Sequence, residues 1–161
     1  MHFARFILSA TLLLLTFGFV SPVHSQNNKP IVSGTFYEDR ASSFISGNTL
    51  VLTFAQAPTN KFLNVTNVSC DVYVTNGQII NSMDLFVGTT PGQNDLGRIY
   101  SIKGSATSET LNTGKYYSIV TNQIYYKMGP GRYPSIEIGT VSNNLFSVSA
   151  NCVIVGNLTD N

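Results

Sequence analysis

Apolar and polar residues alternate along most of this 161-residue chain, and this alternation limits the possible fold more than any other feature. Runs with apolar side chains at every second position are separated by clusters rich in Gly, Pro, Asn and Ser. A period of two is typical of β-strands with one buried face, and no run after residue 30 has the period of a helix. The sequence predicts an all-β fold, an antiparallel β-sandwich of jelly-roll type with eight or nine strands.

The longest alternating run, from Phe62 to Thr75, changes its parity. Leu63 and Val65 are apolar at odd positions, whereas the apolar residues from Val68 onward lie at even positions. A strand that keeps one face buried cannot change parity without an extra residue, so we expect a bulge near Thr66-Asn67. By contrast, the charged segment 38–40 and the polar segment 104–114 are interpreted as loops.

The Asn76-Gly77 dipeptide between two alternating runs predicts a β-hairpin with a type I′ turn. This register places Cys70 beside Met83 on a face that is almost entirely apolar, so we expect that face to lie in the core. The other face then carries Asp71 and Asp84 as diagonal neighbours, about 5.5–8 Å apart. Such a pair could serve a glycosidase, or Ca²⁺ as two oxygen ligands, but a solvated sheet face is the simpler interpretation.

The two cysteines, Cys70 and Cys152, each fall on the apolar parity of their strand. In an exported chain an isolated pair usually forms a disulfide, so we expect Cys70 and Cys152 to be bonded within the domain. Two buried free thiols are the alternative.

The first 25 residues have the pattern of a secretory signal peptide. A basic start is followed by a short apolar run from Phe6 to Val20 and by small residues ending at Ser25. We expect cleavage after Ser25, which leaves a single domain of residues 26–161 that is secreted or periplasmic. An uncleaved membrane anchor is the alternative, although the run is short for a membrane span.

The composition after residue 25 excludes several classes of function. Both histidines and one arginine precede residue 26, so eight basic residues face eight acidic residues in the predicted mature chain. A neutral surface gives no electrostatic reason to bind nucleic acid. Without histidine there is no Ser-His-Asp system and no His-liganded zinc. We therefore expect no cofactor, no metal and no enzymatic activity.

Two groups of residues are candidates for binding a ligand. The first is the outward face of the predicted hairpin, with Asp71, Tyr73, Asp84 and Phe86. The second comes from the tyrosine-rich segment 115–128, interpreted as one long strand or two short strands broken near Asn122. If Tyr116 and Tyr126 face inward, Tyr117 and Tyr125 face outward, where aromatic rings can stack on sugars or contact a protein.

Two short stretches are similar to small exported bacterial β-sandwich proteins with no assigned activity. They are Thr66-Asn67-Val68-Ser69-Cys70 and the terminal run from Cys152 to Leu158. The resemblance implies an exported β-sandwich and transfers no functional residue.

These observations favour an exported, non-catalytic binding or adhesion module for an unknown ligand, a carbohydrate or a protein. One alternative is a structural subunit that assembles with its own copies, as a homo-oligomer, or with a partner. A carboxylate-based hydrolase using Asp71 and Asp84 is the other.

Overall fold

The computed structural model of the protein describes residues 26–27, 29–103, 105–141 and 147–160. The predicted signal peptide, residues 1–25, lies outside these ranges. In the described residues all regular secondary structure is β-strand, in eleven strands. The strands are β1 (Gln26–Asn27), β2 (Ile31–Ser33), β3 (Phe36–Ile45), β4 (Thr49–Thr53), β5 (Phe62–Thr75), β6 (Ile79–Gly88), β7 (Ile99–Ser101), β8 (Ser105–Leu111), β9 (Gly114–Met128), β10 (Tyr133–Val141) and β11 (Val148–Thr159).

The strands form two antiparallel sheets. Sheet A has the order β1-β3-β11-β5-β9-β8, with β2 also paired to β3, and sheet B has the order β4-β10-β6-β7. From β3 to β11 the chain changes sheet at every connection except β6–β7 and β8–β9. This alternation is the jelly-roll arrangement, so the predicted fold class is confirmed. The strands β1, β2 and β8 extend sheet A at its edges and account for the count above the predicted eight or nine.

The core lies between the sheets and is built from the predicted apolar parities. β5 contributes Val68, Cys70, Val72 and Val74, all of them buried. Sheet B packs against them with the alternating apolar residues of β4, β6 and β10, which are Leu50, Leu52, Met83, Leu85, Ile136 and Ile138. Burial of such side chains contributes about 1.5–3 kcal/mol each, so this interior is the main source of stability.

Cys70 and Cys152 form a disulfide, as predicted. They are directly opposite each other on β5 and β11, with Cα atoms 4.1 Å apart, and both side chains are fully buried. The bond therefore joins two neighbouring strands of sheet A rather than the two sheets.

The Asn76-Gly77 turn does not close a hairpin. β5 pairs with β11 and β9, whereas β6 pairs with β10 and β7, so the predicted pairing of Cys70 with Met83 is wrong. The Gln78 amide still donates to the Thr75 carbonyl at 3.1 Å, but Gly77 alone in this turn has a positive φ, of 83°. That pattern fits a type II turn instead of type I′, and type II turns splay the flanking strands. The chain crosses here from sheet A to sheet B.

The predicted bulge near Thr66-Asn67 is confirmed. Val155 is opposite Asn67 and Gly156 is opposite Val65, so Thr66 is the extra residue of β5. The neighbouring strand β9 is irregular at the same level, where Gln123 has a positive φ of 65°. The parity of both strands changes at this level of sheet A.

The prediction of loops at segments 38–40 and 104–114, made from charge and polarity, is wrong. Residues 38–40 belong to β3, and residues 105–111 form β8, which pairs with β9. In β3 the alternation is hidden because Asp39, a charged residue, occupies an inward position. β8 is an edge strand whose described side chains are exposed, so its sequence has no apolar face.

Candidate functional site

The outward face of sheet A carries two neighbouring rows of functional side chains. One row runs across the strands as Ser42, Asn151, Asp71 and Ser118. The next row, two residues further along, runs as Phe44, Ser149, Tyr73 and Tyr116. Pairing between β3, β11, β5 and β9 therefore places a polar row beside an aromatic row.

Apart from Ser118, the residues of these two rows line a groove of about 420 Å³. Its floor is β11, where Ser149 and Asn151 are small, and its walls carry Phe44 on β3 and Tyr73 on β5. Since adjacent strands are spaced at 4.7–4.9 Å, the two wall strands are about 10 Å apart. Phe44 is 57% exposed and Tyr116 is 39% exposed, so aromatic surface is open to a ligand.

The orientation of Tyr73 is fixed by the β8–β9 turn. Its hydroxyl donates a hydrogen bond to the Thr113 carbonyl oxygen at 3.0 Å and lies 3.1 Å from Thr113 Oγ1. Its ring passes close over Gly114, where a side chain would collide with the ring and with the Val74 carbonyl. This wall of the groove is therefore held in place without a ligand.

Of the described side chains that line the groove, Asp71 is the charged one. Its Oδ1 accepts a hydrogen bond from Ser118 Oγ at 2.7 Å, and no described residue donates to Oδ2. Asn151 lies directly opposite Asp71 and is exposed. A carboxylate oxygen and an amide side by side offer acceptors and a donor to a ligand with hydroxyl groups.

The predicted diagonal pair of Asp71 and Asp84 is wrong. Both side chains face outward, as their parity predicts, but β5 belongs to sheet A and β6 to sheet B. The two carboxylates therefore lie on opposite outer surfaces of the sandwich, and stacked sheets are about 10 Å apart. The cross-strand neighbours of Asp84 are Glu137 and Ser101, and Ser101 Oγ donates to Asp84 at 2.6 Å.

Phe86 and Tyr117 do not present the exposed rings that were expected. Phe86 lies on the outward side of β6 but is 4% exposed. The loop of residues 89–97 approaches this side of sheet B, since Gly92 lies close to Thr53 of β4. Asp95 holds this loop by accepting hydrogen bonds from the Thr89 amide, at 2.8 Å, and from the Thr89 hydroxyl.

Tyr117 faces inward because the parity of β9 changes at Gln123. It lies opposite Val72 and packs against the core, whereas Tyr116 faces outward into the groove. The parity prediction is thus wrong for residues 116–120 and correct from residue 124 onward. Tyr125 is 88% exposed, as predicted.

Sequence reasoning identified Asp71 and Tyr73 but missed Phe44, Tyr116 and Asn151. Residues 41–45 read Ala-Ser-Ser-Phe-Ile and do not alternate, so the local pattern did not mark Phe44 as an outward residue. The register that joins these residues runs through β3, β11, β5 and β9, which are not consecutive in the sequence. Local patterns do not report such pairing.

A second cavity, of about 370 Å³, opens between the sheets beside β6. Ile80, Met83, Ile102, Tyr117 and Ile119 give it apolar walls, and Asp84 and Lys103 lie at it too. β7 covers only residues 84–86 of β6, and no described strand pairs with residues 79–82 on that side.

Among the described residues, no cluster of three His, Cys, Asp or Glu side chains could hold a metal ion. None of the described segments is a helix that is long and apolar enough to cross a membrane. No protein-family model matches the chain, and no curated protein matches it significantly.

Proposed function

We propose that this protein is an exported, non-catalytic carbohydrate-binding module whose site is the groove on sheet A. The observation that carries the proposal is the geometry of the groove, in which Phe44 faces Tyr73 and Tyr116 across a floor of small polar residues. Sugar rings have apolar faces that stack on aromatic side chains, and hydroxyl groups that need hydrogen-bond partners. The aromatic row supplies the side chains on which sugar rings stack, and the polar row supplies the hydrogen-bond partners.

The charge of the groove limits the class of carbohydrate that it can bind. Asp71 supplies a negative charge, and no lysine or arginine is among the described residues that line the groove. A carboxylate repels uronate, sialate and sulfate groups and is compatible with neutral sugars or amino sugars. We therefore propose neutral or amine-bearing glycans as ligands.

Export is supported by two independent features. The first 25 residues have the pattern of a signal peptide. The Cys70–Cys152 disulfide is typical of oxidising compartments, which include the bacterial periplasm and the extracellular space.

The test is a glycan array followed by calorimetry with the best ligand. Phe44→Ala and Tyr116→Ala should each weaken binding by about tenfold, which corresponds to about 1.4 kcal/mol. Ile99→Ala is the matched control, because Ile99 is an exposed apolar residue of sheet B, and it should leave affinity unchanged. Equal affinities for all three variants, or no glycan bound at all, would exclude the groove as a carbohydrate site.

A second candidate function is assembly through sheet edges. Two features favour it: no described strand pairs with residues 79–82 of β6 on the β7 side, and Ile79 is exposed. A sheet edge of this kind can accept a strand from another chain. Light scattering tests it directly. A mass that is a multiple of the monomer, reduced to the monomer by Ile79→Lys, would support assembly over glycan binding.

A further inference from the structure

We infer that the glycan site extends beyond the groove, along strand β11, to a second aromatic position at Tyr125. The ligand is then a linear, neutral polysaccharide that lies along sheet A and contacts both ends of its outer face. This inference rests on the proposed carbohydrate function and specifies the ligand as a chain of several sugars.

The first support is a continuous track along β11. Its odd-numbered residues all face outward from Ser149 to Asn157, because the extra residue at the bulge belongs to β5 and leaves the parity of β11 unchanged. None of these side chains is larger than valine or asparagine: they are Ser149, Asn151, Val153, Val155 and Asn157. At about 3.4 Å per residue, the track is about 27 Å long.

The second support is the far end of the track, which repeats the chemistry of the groove. A cavity of about 320 Å³ lies there, lined by Asn64, Tyr125 and Asn157 among others. Asn64 and Asn157 are directly opposite each other, as Asp71 and Asn151 are at the near end. An aromatic ring again lies beside a cross-strand pair of polar side chains.

The backbone conformation of β9 explains why the Tyr125 side chain faces outward. The positive φ of Gln123 and the irregular pairing around it shift the outward parity, so that Tyr125 and Lys127 point away from the core. Non-glycine residues with positive φ are uncommon and are found preferentially at functional sites. The Lys127 ammonium lies 4.4 Å from the centre of the Phe62 ring, a cation–π contact beside the cavity.

The charge along the track matches a neutral chain. Glu38 and Arg40 face outward on β3 opposite Val155 and Val153, while Asp71 and Lys127 lie at the two ends. Two carboxylates and two cations leave no net charge to attract a polyanion or a polycation.

The separation of the two ends determines the length of the ligand. A single sugar ring is far shorter than 27 Å and can occupy one end only. Once a longer chain is bound at the groove, its contact with Tyr125 is intramolecular and adds affinity without a second association step. Affinity should therefore rise with chain length until the chain reaches both ends, and then level off.

The experiment is calorimetry with two neutral series, cello-oligosaccharides and chito-oligosaccharides, each from disaccharide to octasaccharide, and with polygalacturonate as an anionic comparison. In the series that binds, the octasaccharide should bind the wild type about tenfold more tightly than the trisaccharide, and polygalacturonate should not compete. Tyr125→Ala should remove this gain and leave trisaccharide affinity unchanged, whereas Phe44→Ala should weaken both. Tyr125 is exposed, so its substitution should not affect folding, and Ile99→Ala should behave as wild type.

The outcomes separate the two proposals. Binding that does not depend on length, or a Tyr125→Ala variant that keeps the full gain, would refute the extended site and leave the groove in place. Absence of binding at every length in both series, with no hit on the glycan array, would refute the proposed function and the extended site together.

Discussion

At the scale of single residues, Asp39 is the buried charged side chain in the described part of the chain. It is a carboxylate that is only 2% exposed, on the inward side of β3. It accepts hydrogen bonds from the Ala55 amide at 2.7 Å, the Arg40 amide at 2.8 Å and the Tyr37 hydroxyl at 3.4 Å. These bonds link β3 to the end of β4 and compensate for part of the loss of hydration.

Burial raises the pKa of Asp39 above its ordinary value of 3.8, although the three hydrogen bonds act in the opposite direction. The folded state therefore holds this proton more tightly than the unfolded chain does. Such a group contributes stability that is fully present below pH 3.8 and is lost as the pH rises through the folded-state pKa.

The prediction concerns the free energies of unfolding of the wild type and of Asp39→Asn, measured in urea from pH 3.5 to 7. Because the variant does not titrate at this position, the wild type should lose stability relative to it as the pH rises from 3.8 through the folded-state pKa of Asp39. Glu38→Gln, an outward residue next to Asp39, is the control. Parallel plots of the free energy of unfolding against pH for wild type and Asp39→Asn would contradict a raised pKa of Asp39.

At the scale of elements, the turn at residues 75–78 decides how the sandwich is connected. Alternation along β5 and β6 correctly identified which side chains face the core, but it did not identify the strands that pair. The same parities fit a hairpin and a crossover between sheets, because both bury the apolar faces: a hairpin places them side by side on one sheet, and a crossover places them opposite each other across the core. The choice depends on the turn conformation, and Asn-Gly is compatible with both types.

Gly77 should therefore be sensitive to substitution for conformational reasons alone. A Cβ atom at this position would contact nothing, but the φ of 83° is unfavourable for any L-residue with a side chain. Gly77→Ala should lower the free energy of unfolding by about 1 kcal/mol. Gly47→Ala is the matched control, since Gly47 has no positive φ and its Cβ would make ordinary contacts with Ile45. Equal unfolding midpoints for the two variants would contradict the turn assignment.

The disulfide is the structural feature that was predicted best from the sequence. Two cysteines on the inward parity of two strands left the pairing unambiguous, although the sequence did not show that the strands are adjacent. Removing the bond in a Cys70→Ala, Cys152→Ala variant releases a loop with a sequence separation of 82 residues. The chain-entropy model gives a loss of about 4.5 kcal/mol, and 2–4 kcal/mol is typical.

Intact-mass analysis of the denatured, unreduced protein after alkylation checks that bond. No label should be incorporated before reduction and two labels after it. Two labels without reductant would mean that the cysteines are free thiols. The urea midpoint of the double alanine variant then measures the contribution of the bond to stability.

The two parity changes of sheet A differ in how well the sequence reveals them. The bulge at Thr66 was predictable because apolar residues on both sides of it are buried and show the change directly. In β9 a break near Asn122 was one of two interpretations, and the structure shows one strand with an irregularity at Gln123. The change of parity there was not predicted, because tyrosines occupy inward and outward positions of β9 alike. Tyr116 was consequently assigned to the core and Tyr117 to the surface, the reverse of what the structure shows.

At the scale of the whole molecule, the sandwich separates the carboxylates that sequence analysis had placed together. The nearest arrangement to a catalytic pair is instead Asp84 with Glu137, which are directly opposite each other on sheet B. Asp84 is among the residues that line the cavity beside β6, whereas Glu137 is not. A glycosidase needs its two carboxylates on either side of one substrate bond, and this pair does not enclose a common cavity.

The last prediction is that the protein turns over no glycan, ester or peptide substrate. A general acid must keep its proton at neutral pH, which requires burial or a strong interaction with a like charge. Asp84 and Glu137 are half-exposed on the outer face of sheet B, so neither carboxyl group is buried, and Asp84 accepts a hydrogen bond from Ser101. Asp39 is buried and its pKa is raised by that burial, but its side chain is only 2% exposed on the inward side of β3, where a substrate does not reach it. The assay compares wild type with an Asp84→Asn, Glu137→Gln variant and an Asp71→Asn variant across a substrate panel. Turnover by the wild type that either variant abolishes would show that the protein is a hydrolase and would locate its acid residues on sheet B or in the groove of sheet A.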